Sequence, residues 1–143
     1  MNLKPRSLLF ALSAALAITV ATPAMAHGPG ETVNVDFEKK IPNIPGKSLV
    51  AVVVDYAPGA ASAPHAHAKS AFVYAYVISG KIESKVDAGP AHVFGAGESF
   101  HEVPGSLHPV SRNASATEPA RLLAVFVVDD GETGNLTTPT GKR

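Results

Sequence analysis

An all-β barrel or sandwich built around a single core is the fold class that this sequence predicts. After the first 26 residues helical signals are almost absent. In their place come short runs rich in Val, Ile, Phe and Tyr, separated by Gly and Pro at the spacing of a sandwich or barrel. No internal repeat is visible.

The runs define eight expected strands at residues 32–38, 48–56, 71–79, 81–87, 91–94, 99–103, 108–112 and 122–129. Residues 48–54 and 122–128 are nearly continuous apolar stretches, as expected of central strands buried on both faces. In the fourth run Ile82, Ser84 and Val86 alternate with Lys81, Glu83, Lys85 and Asp87, the pattern of a half-exposed strand. Ser79-Gly80, Asp87-Ala-Gly89-Pro90 and Gly95-Ala-Gly97 are the expected tight reversals. Residues 27–30, 41–47 and 131–143 carry Gly, Pro and Thr without periodicity and read as arm, loop and fraying tail. The organisation expected is a leader at 1–26, an arm and first strand at 27–47, a barrel at 48–130 and a flexible tail at 131–143.

The leader has the plan of a secretory signal peptide. Lys4 and Arg6 precede an apolar run at 7–21, and Ala24-Met25-Ala26 is an A-x-A cleavage site. The apolar run is short for a membrane anchor and ends in a small-residue segment containing Pro23, so cleavage and no stable membrane span are expected. The mature chain would begin at His27 and be periplasmic or secreted. Formal net charge is 0, which suggests neither nucleic acid nor an anionic membrane surface as partner. There is no cysteine, hence no disulfide, thiolate nucleophile or thiolate ligand.

Chemistry concentrates in three histidines. His65 and His67 stand at i and i+2 after Pro64, so an extended backbone sends both side chains to one side. His108 precedes Pro109, which biases it to extended conformation too. Neutral imidazole is the commonest protein ligand for transition metals, and a converging pair plus a distant third reads as a metal site.

The segments Gly59-x5-His65-x-His67…Gly80 and Gly97…Pro104-Gly105-x2-His108…Asn113 resemble the two cupin motifs, G-x5-H-x-H-x3,4-E-x6-G and G-x5-P-x-G-x2-H-x3-N. The resemblance covers about residues 59–113. It implies a double-stranded β-helix, or jelly-roll, barrel in which His65, His67 and His108 bind one divalent transition metal (Fe, Mn, Ni or Zn). Pro104 adjoins Gly105 where the family has an intervening residue, and Asn113 falls one residue late. The larger departure is the glutamate: the window 71–73 holds Ala, Phe and Val, which cannot bind a metal. The fourth ligand is then water, a carboxylate from elsewhere with Glu102 the candidate, or absent along with the metal.

Other residues carry weaker signals. Glu102 is also a candidate general acid or base. Burial by Phe100, Val103 and Leu107 would raise its pKa unless a metal or imidazole offset it. Tyr74 and Tyr76 share a strand face and could reach into the barrel, and Tyr76 is taken as the candidate catalytic phenol. His101 and His92 read as surface. His27, as a free N-terminus, could chelate copper.

The function expected is a mononuclear metal enzyme acting on a small organic substrate by dioxygenase-, lyase- or isomerase-type chemistry. Fold resemblance does not choose among these. The alternatives are a non-catalytic periplasmic module that binds metal or a small ligand, and a structural barrel. The nearly continuous apolar strands are consistent with a homodimer.

Overall fold

A computed structural model describes residues 28–141. The leader at 1–26 and His27 lie outside the described residues, as do Lys142 and Arg143. Within the described residues the strands are β1 (Glu31–Lys40), β2 (Lys47–Tyr56), β3 (His65–His67), β4 (Phe72–Ser79), β5 (Lys81–Lys85) and β6 (His92–Gly95). There follow β7 (Ser99–Glu102), β8 (Leu107–His108), β9 (Val110–Asn113), β10 (Ala120–Asp129) and β11 (Thr137–Pro139), with one 3₁₀ turn at Asp130–Glu132. No α-helix is present among them, and no helix is long and apolar enough to cross a membrane.

The five-stranded sheet runs β1-β2-β10-β4-β7, with every pair antiparallel. Its inner face is apolar because alternation sends one residue in two to the core. Val50, Val52 and Val54 of β2, Val73, Ala75 and Val77 of β4, and Leu122, Ala124, Phe126 and Val128 of β10 are all buried. Two three-stranded sheets, β11-β3-β8 and β6-β5-β9, supply the facing wall. They share the core through Ile82 and Leu136 but also bring polar side chains inward: His65, His67, Ser84, His108, Ser111 and Asn113. The facing wall therefore carries most of the buried polar side chains, and Glu102 on β7 is the buried charge that the five-stranded sheet adds.

The expected central strands β2 and β10 are paired to each other along their whole length. Only one of the three expected reversals is a hairpin, the β5–β6 connection at residues 86–91. At Gly80 and at Gly95-Ala-Gly97 the chain crosses between sheets, and the strands on either side are not hydrogen-bonded to each other. Gly80 makes the crossing possible. Its φ is +73°, and a Cβ there would fall 2.5 Å from the Pro119 carbonyl oxygen and 2.7 Å from Ala120 Cα. The seventh expected run, 108–112, is divided into β8 and β9 at Pro109, which has no amide proton for the ladder.

Two segments differ from expectation. Residues 65–67 form a short strand held on both sides, by β11 and β8. Residues 131–141 are not a free tail: Thr137–Pro139 pairs with His65–His67 and Leu136 is only 1% exposed. The single apolar residue in an otherwise polar segment found a core site, and short-range periodicity could not signal it. β1 is likewise part of the main sheet, paired with β2 across a bulge at Asp36.

The docked tail has a measurable consequence. Leu136→Ala removes the anchor that seats β11 beside the histidine strand, and should cost about 3 kcal/mol. Thermal unfolding followed by circular dichroism should show a midpoint lowered by roughly 10 °C or more.

Candidate metal centre

Two strands deliver the three imidazoles. His65 and His67 lie on β3 with both side chains inward, as an i, i+2 pair on a strand must. His108 on β8 is the direct cross-strand partner of His65. One ligand nitrogen from each of the three lies within 4.8 Å of the others, and the ring centroids are 5.0–5.7 Å apart. All three side chains are buried.

Glu102 completes the cluster. It sits on β7, 2% exposed, with Oε2 2.7 Å from His67 Nε2 and Oε1 3.3 Å from His108 Nδ1. Its cross-strand partner on β4 is Val73, seven residues before Gly80. That is where the cupin spacing E-x6-G would place the family glutamate. The carboxylate thus stands one strand over from its expected position, on the same inward face. Val103 and Leu107, expected to cover it, are half-exposed and point away.

Second partners fix two of the rings. His65 donates from Nδ1 to the Ala63 carbonyl at 2.8 Å, which leaves Nε2 as the ligand atom. His108 Nε2 meets the Ser84 hydroxyl at 2.9 Å. His67 differs. Neither of its ring nitrogens has a hydrogen-bond partner of normal geometry, nor does Glu102 Oε2, although His67 Nε2 and that oxygen are in contact. Buried polar atoms left without partners cost about 1–3 kcal/mol each, so such a cluster calls for a shared occupant. Three imidazoles whose ligand nitrogens gather within 4.8 Å of one another, with a carboxylate against two of them, are a fitting donor set for a divalent transition metal.

Burial, aided by the neighbouring histidines, pushes His108 down to about 4 and lowers His65, so both favour the neutral imidazole. For Glu102 burial works against ionisation. The close approach of His67 and the electrostatic attraction of the surrounding rings outweigh it and hold the carboxyl below its ordinary range.

Tyr76 takes no part. It and Tyr74 lie on the outer face, 36% and 45% exposed, because Val73, Ala75 and Val77 occupy the inner alternation. The sequence pattern offered two faces and the apolar one won. His101 and His92 are exposed, and His101 stacks on Phe72. Asn113 is a buried structural staple, bonding the Ala57 and Glu118 carbonyls and the Ser115 amide. The phenol that does reach the cavity is Tyr56, missed in the sequence because it ends a nearly continuous apolar run. The cavity has a volume of about 60 Å3 and runs from the imidazoles past Phe126 and Val52 to Glu31 and Ser62.

Comparison with known proteins agrees with this architecture. The cupin domain family model matches residues 52–126. No curated protein matches the chain in sequence. Among solved structures, an uncharacterized conserved protein with a double-stranded β-helix domain from Klebsiella pneumoniae superposes with a TM-score of 0.61 at 22% identity. The match covers 88% of this chain and 99% of that one. KdgF from Halomonas sp. matches with a TM-score of 0.57 at 18% identity, over 73% and 84% of the two chains. A recombinant oxalate oxidase in complex with glycolate gives 0.56 at 23%, covering 90% of this chain and 62% of that one. At these identities the likeness is one of fold, an all-β double-stranded β-helix.

The metal-free protein should be acid-sensitive in a defined window. His108 and His65 titrate lower when folded than when unfolded, so as pH falls the unfolded chain takes up protons first and stability is lost. The depressed carboxyl of Glu102 acts in the same direction at lower pH, where its ionised-state advantage disappears. Urea unfolding should give a free energy that declines steadily from pH 6.5 to 4, and a flat profile there would contradict the buried neutral imidazoles.

Proposed function

The chain belongs to the cupin family, and from that premise we propose an exported mononuclear metal cupin that acts as an enzyme on a small organic substrate. His65, His67, His108 and Glu102 would hold one divalent transition metal, Fe, Mn, Ni or Zn. The observation that carries this is the convergence of three buried imidazoles on a buried carboxylate with unpartnered donor atoms. When bound, such a metal supplies Lewis-acid or redox chemistry. Glu102 is read here as a ligand rather than a proton-transfer residue, since its unpartnered oxygen lies against His67 and its other oxygen against His108.

The chain's own residues do the rest. His65 is oriented by the Ala63 carbonyl, His108 by Ser84, and Val52, Ala124 and Phe126 give the cavity an apolar wall. The family resemblance implies dioxygenase, lyase or isomerase chemistry, and relatives of similar fold carry enzyme names, among them the oxalate oxidase and DMSP lyases. A non-catalytic module that binds metal or a small ligand is the alternative reading. Export is supported by Lys4, Arg6, the apolar run and Ala24-Met25-Ala26. A homodimer through the outer face of the five-stranded sheet is supported by exposed Phe37, Phe72, Tyr74, Tyr76 and Ile78, a larger apolar cluster than monomers usually leave in water.

Elemental mass spectrometry of the purified protein tests the centre. About one equivalent of metal is expected, near-complete loss in His67→Ala, and loss in Glu102→Val. Adding Val73→Glu to Glu102→Val should restore occupancy by returning a carboxylate to the paired strand. Glu102→Gln that keeps its metal but loses turnover would instead make Glu102 the acid–base residue. For the dimer, sedimentation at tens of micromolar should show two copies in the wild type and one in Tyr74→Asp.

A further inference from the structure

A second polar assembly lines the cavity on the side away from Glu102. Glu31 accepts the Ser62 hydroxyl on Oε1 and the Gly28 amide on Oε2, the latter at 2.7 Å. The Ser62 hydroxyl oxygen is 2.7 Å from the Tyr56 phenol, which is 2.9 Å from Ser111 Oγ. Four side chains from four different segments form one continuous chain of hydrogen bonds.

The carboxylate sets its direction. Glu31 can only accept, so Ser62 donates to it. With that proton committed, Ser62 accepts from Tyr56, and Tyr56 in turn accepts from Ser111. Burial pushes the Tyr56 phenol up to about 12, so it keeps the proton that the chain requires. Each hydroxyl proton of the chain is committed to the next acceptor toward Glu31. The capacity left to the chain is accepting, on the remaining lone pairs of Ser111 and of the Glu31 carboxylate.

The charge balance points the same way. No Lys or Arg lines the cavity, and the rest of its wall is mostly Val, Leu, Ala and Phe. A dicarboxylate held at the metal through one carboxylate only would place the other against this wall, where Thr137 is the one hydroxyl outside the chain and no lysine or arginine is present to pair with it. Buried charges without a partner are strongly disfavoured. The volume of about 60 Å3 admits a ligand of only a few heavy atoms.

We infer that the cavity selects a small uncharged or cationic compound bearing a hydrogen-bond donor, such as a hydroxyl or amide N–H, and rejects dicarboxylates. This rests on the metal reading above, with Glu31, Ser62, Tyr56 and Ser111 as the specificity-determining wall.

The deciding test is on purified metal-free protein, because oxalate chelates a bound metal through both carboxylates whatever the wall offers. Glycolamide is observed by saturation-transfer NMR through its methylene protons, and oxalate is the competitor. Glycolamide should make contact, and oxalate should displace it only at about tenfold higher concentration or more. Glu31→Gln should let oxalate displace it at lower concentration, and Ser111→Ala should weaken glycolamide itself. Displacement at equal concentration in the wild type, no glycolamide contact, or no response to either substitution overturns the inference. Mn(II) occupancy of the same protein, measured separately, reports on the metal centre, so failure of that reading is told apart from failure of this one.

Discussion

The barrel depends on how it accommodates one buried carboxylate. Taking an ionised glutamate out of water costs several kcal/mol unless close partners compensate. Around Glu102 the partners are imidazoles, each less costly to bury than a lysine or arginine because each can be neutral. The lowered proton affinity of His65 and His108 and the retained charge of Glu102 are two sides of one arrangement: donors held deprotonated, as metal ligands must be. Much of the local architecture serves it. β11 holds β3 on one side, β8 holds it on the other, and Leu136 anchors the strand that closes the site.

The division of labour between the two walls follows from the same constraint. A polar cluster embedded in an entirely polar wall would be hydrated and its electrostatics screened. Here the five-stranded sheet presents hydrocarbon to it, with Phe126 beside His67. The smaller sheets carry most of the buried polar side chains, several with defined partners: Ser84 for His108, Ser111 for Tyr56, Asn113 for three backbone groups. His67 instead lies against Glu102, the buried charge that the five-stranded sheet contributes.

The eight apolar runs were legible because strand alternation and Gly/Pro punctuation are local. The three histidines were legible because their spacing to Gly59, Gly97 and Gly105 is a pattern in sequence. What escaped was what only the assembled barrel decides. On β4 the period of two says that Tyr74 and Tyr76 share a face but not which face turns inward. That depends on the neighbouring strands, where Ala75 sits between Ala124 and Phe100. Thr137–Pro139 reads as tail because a three-residue strand has no periodicity. Tyr56 hides at the end of a strand whose hydrophobicity speaks only of burial. Glu31 gives no signal at all, being one of several acidic residues in an edge strand.

The missing motif glutamate shows why sequence and space can disagree about a site. A shift of one residue along β4 would have turned a carboxylate to the solvent face, since side chains alternate. A move across the ladder does not. Directly opposed residues on antiparallel strands project to the same face with Cβ atoms about 5 Å apart. A glutamate side chain can span much of that distance by choice of rotamer. Val73 and Glu102 are such a pair, so exchanging which strand bears the carboxylate preserves the direction and approximate reach of its oxygens. The linear motif is broken at position 73 while the set of three imidazoles and a carboxylate is retained. The donor groups are brought together in space although the sequence spacing that would signal the carboxylate is not kept.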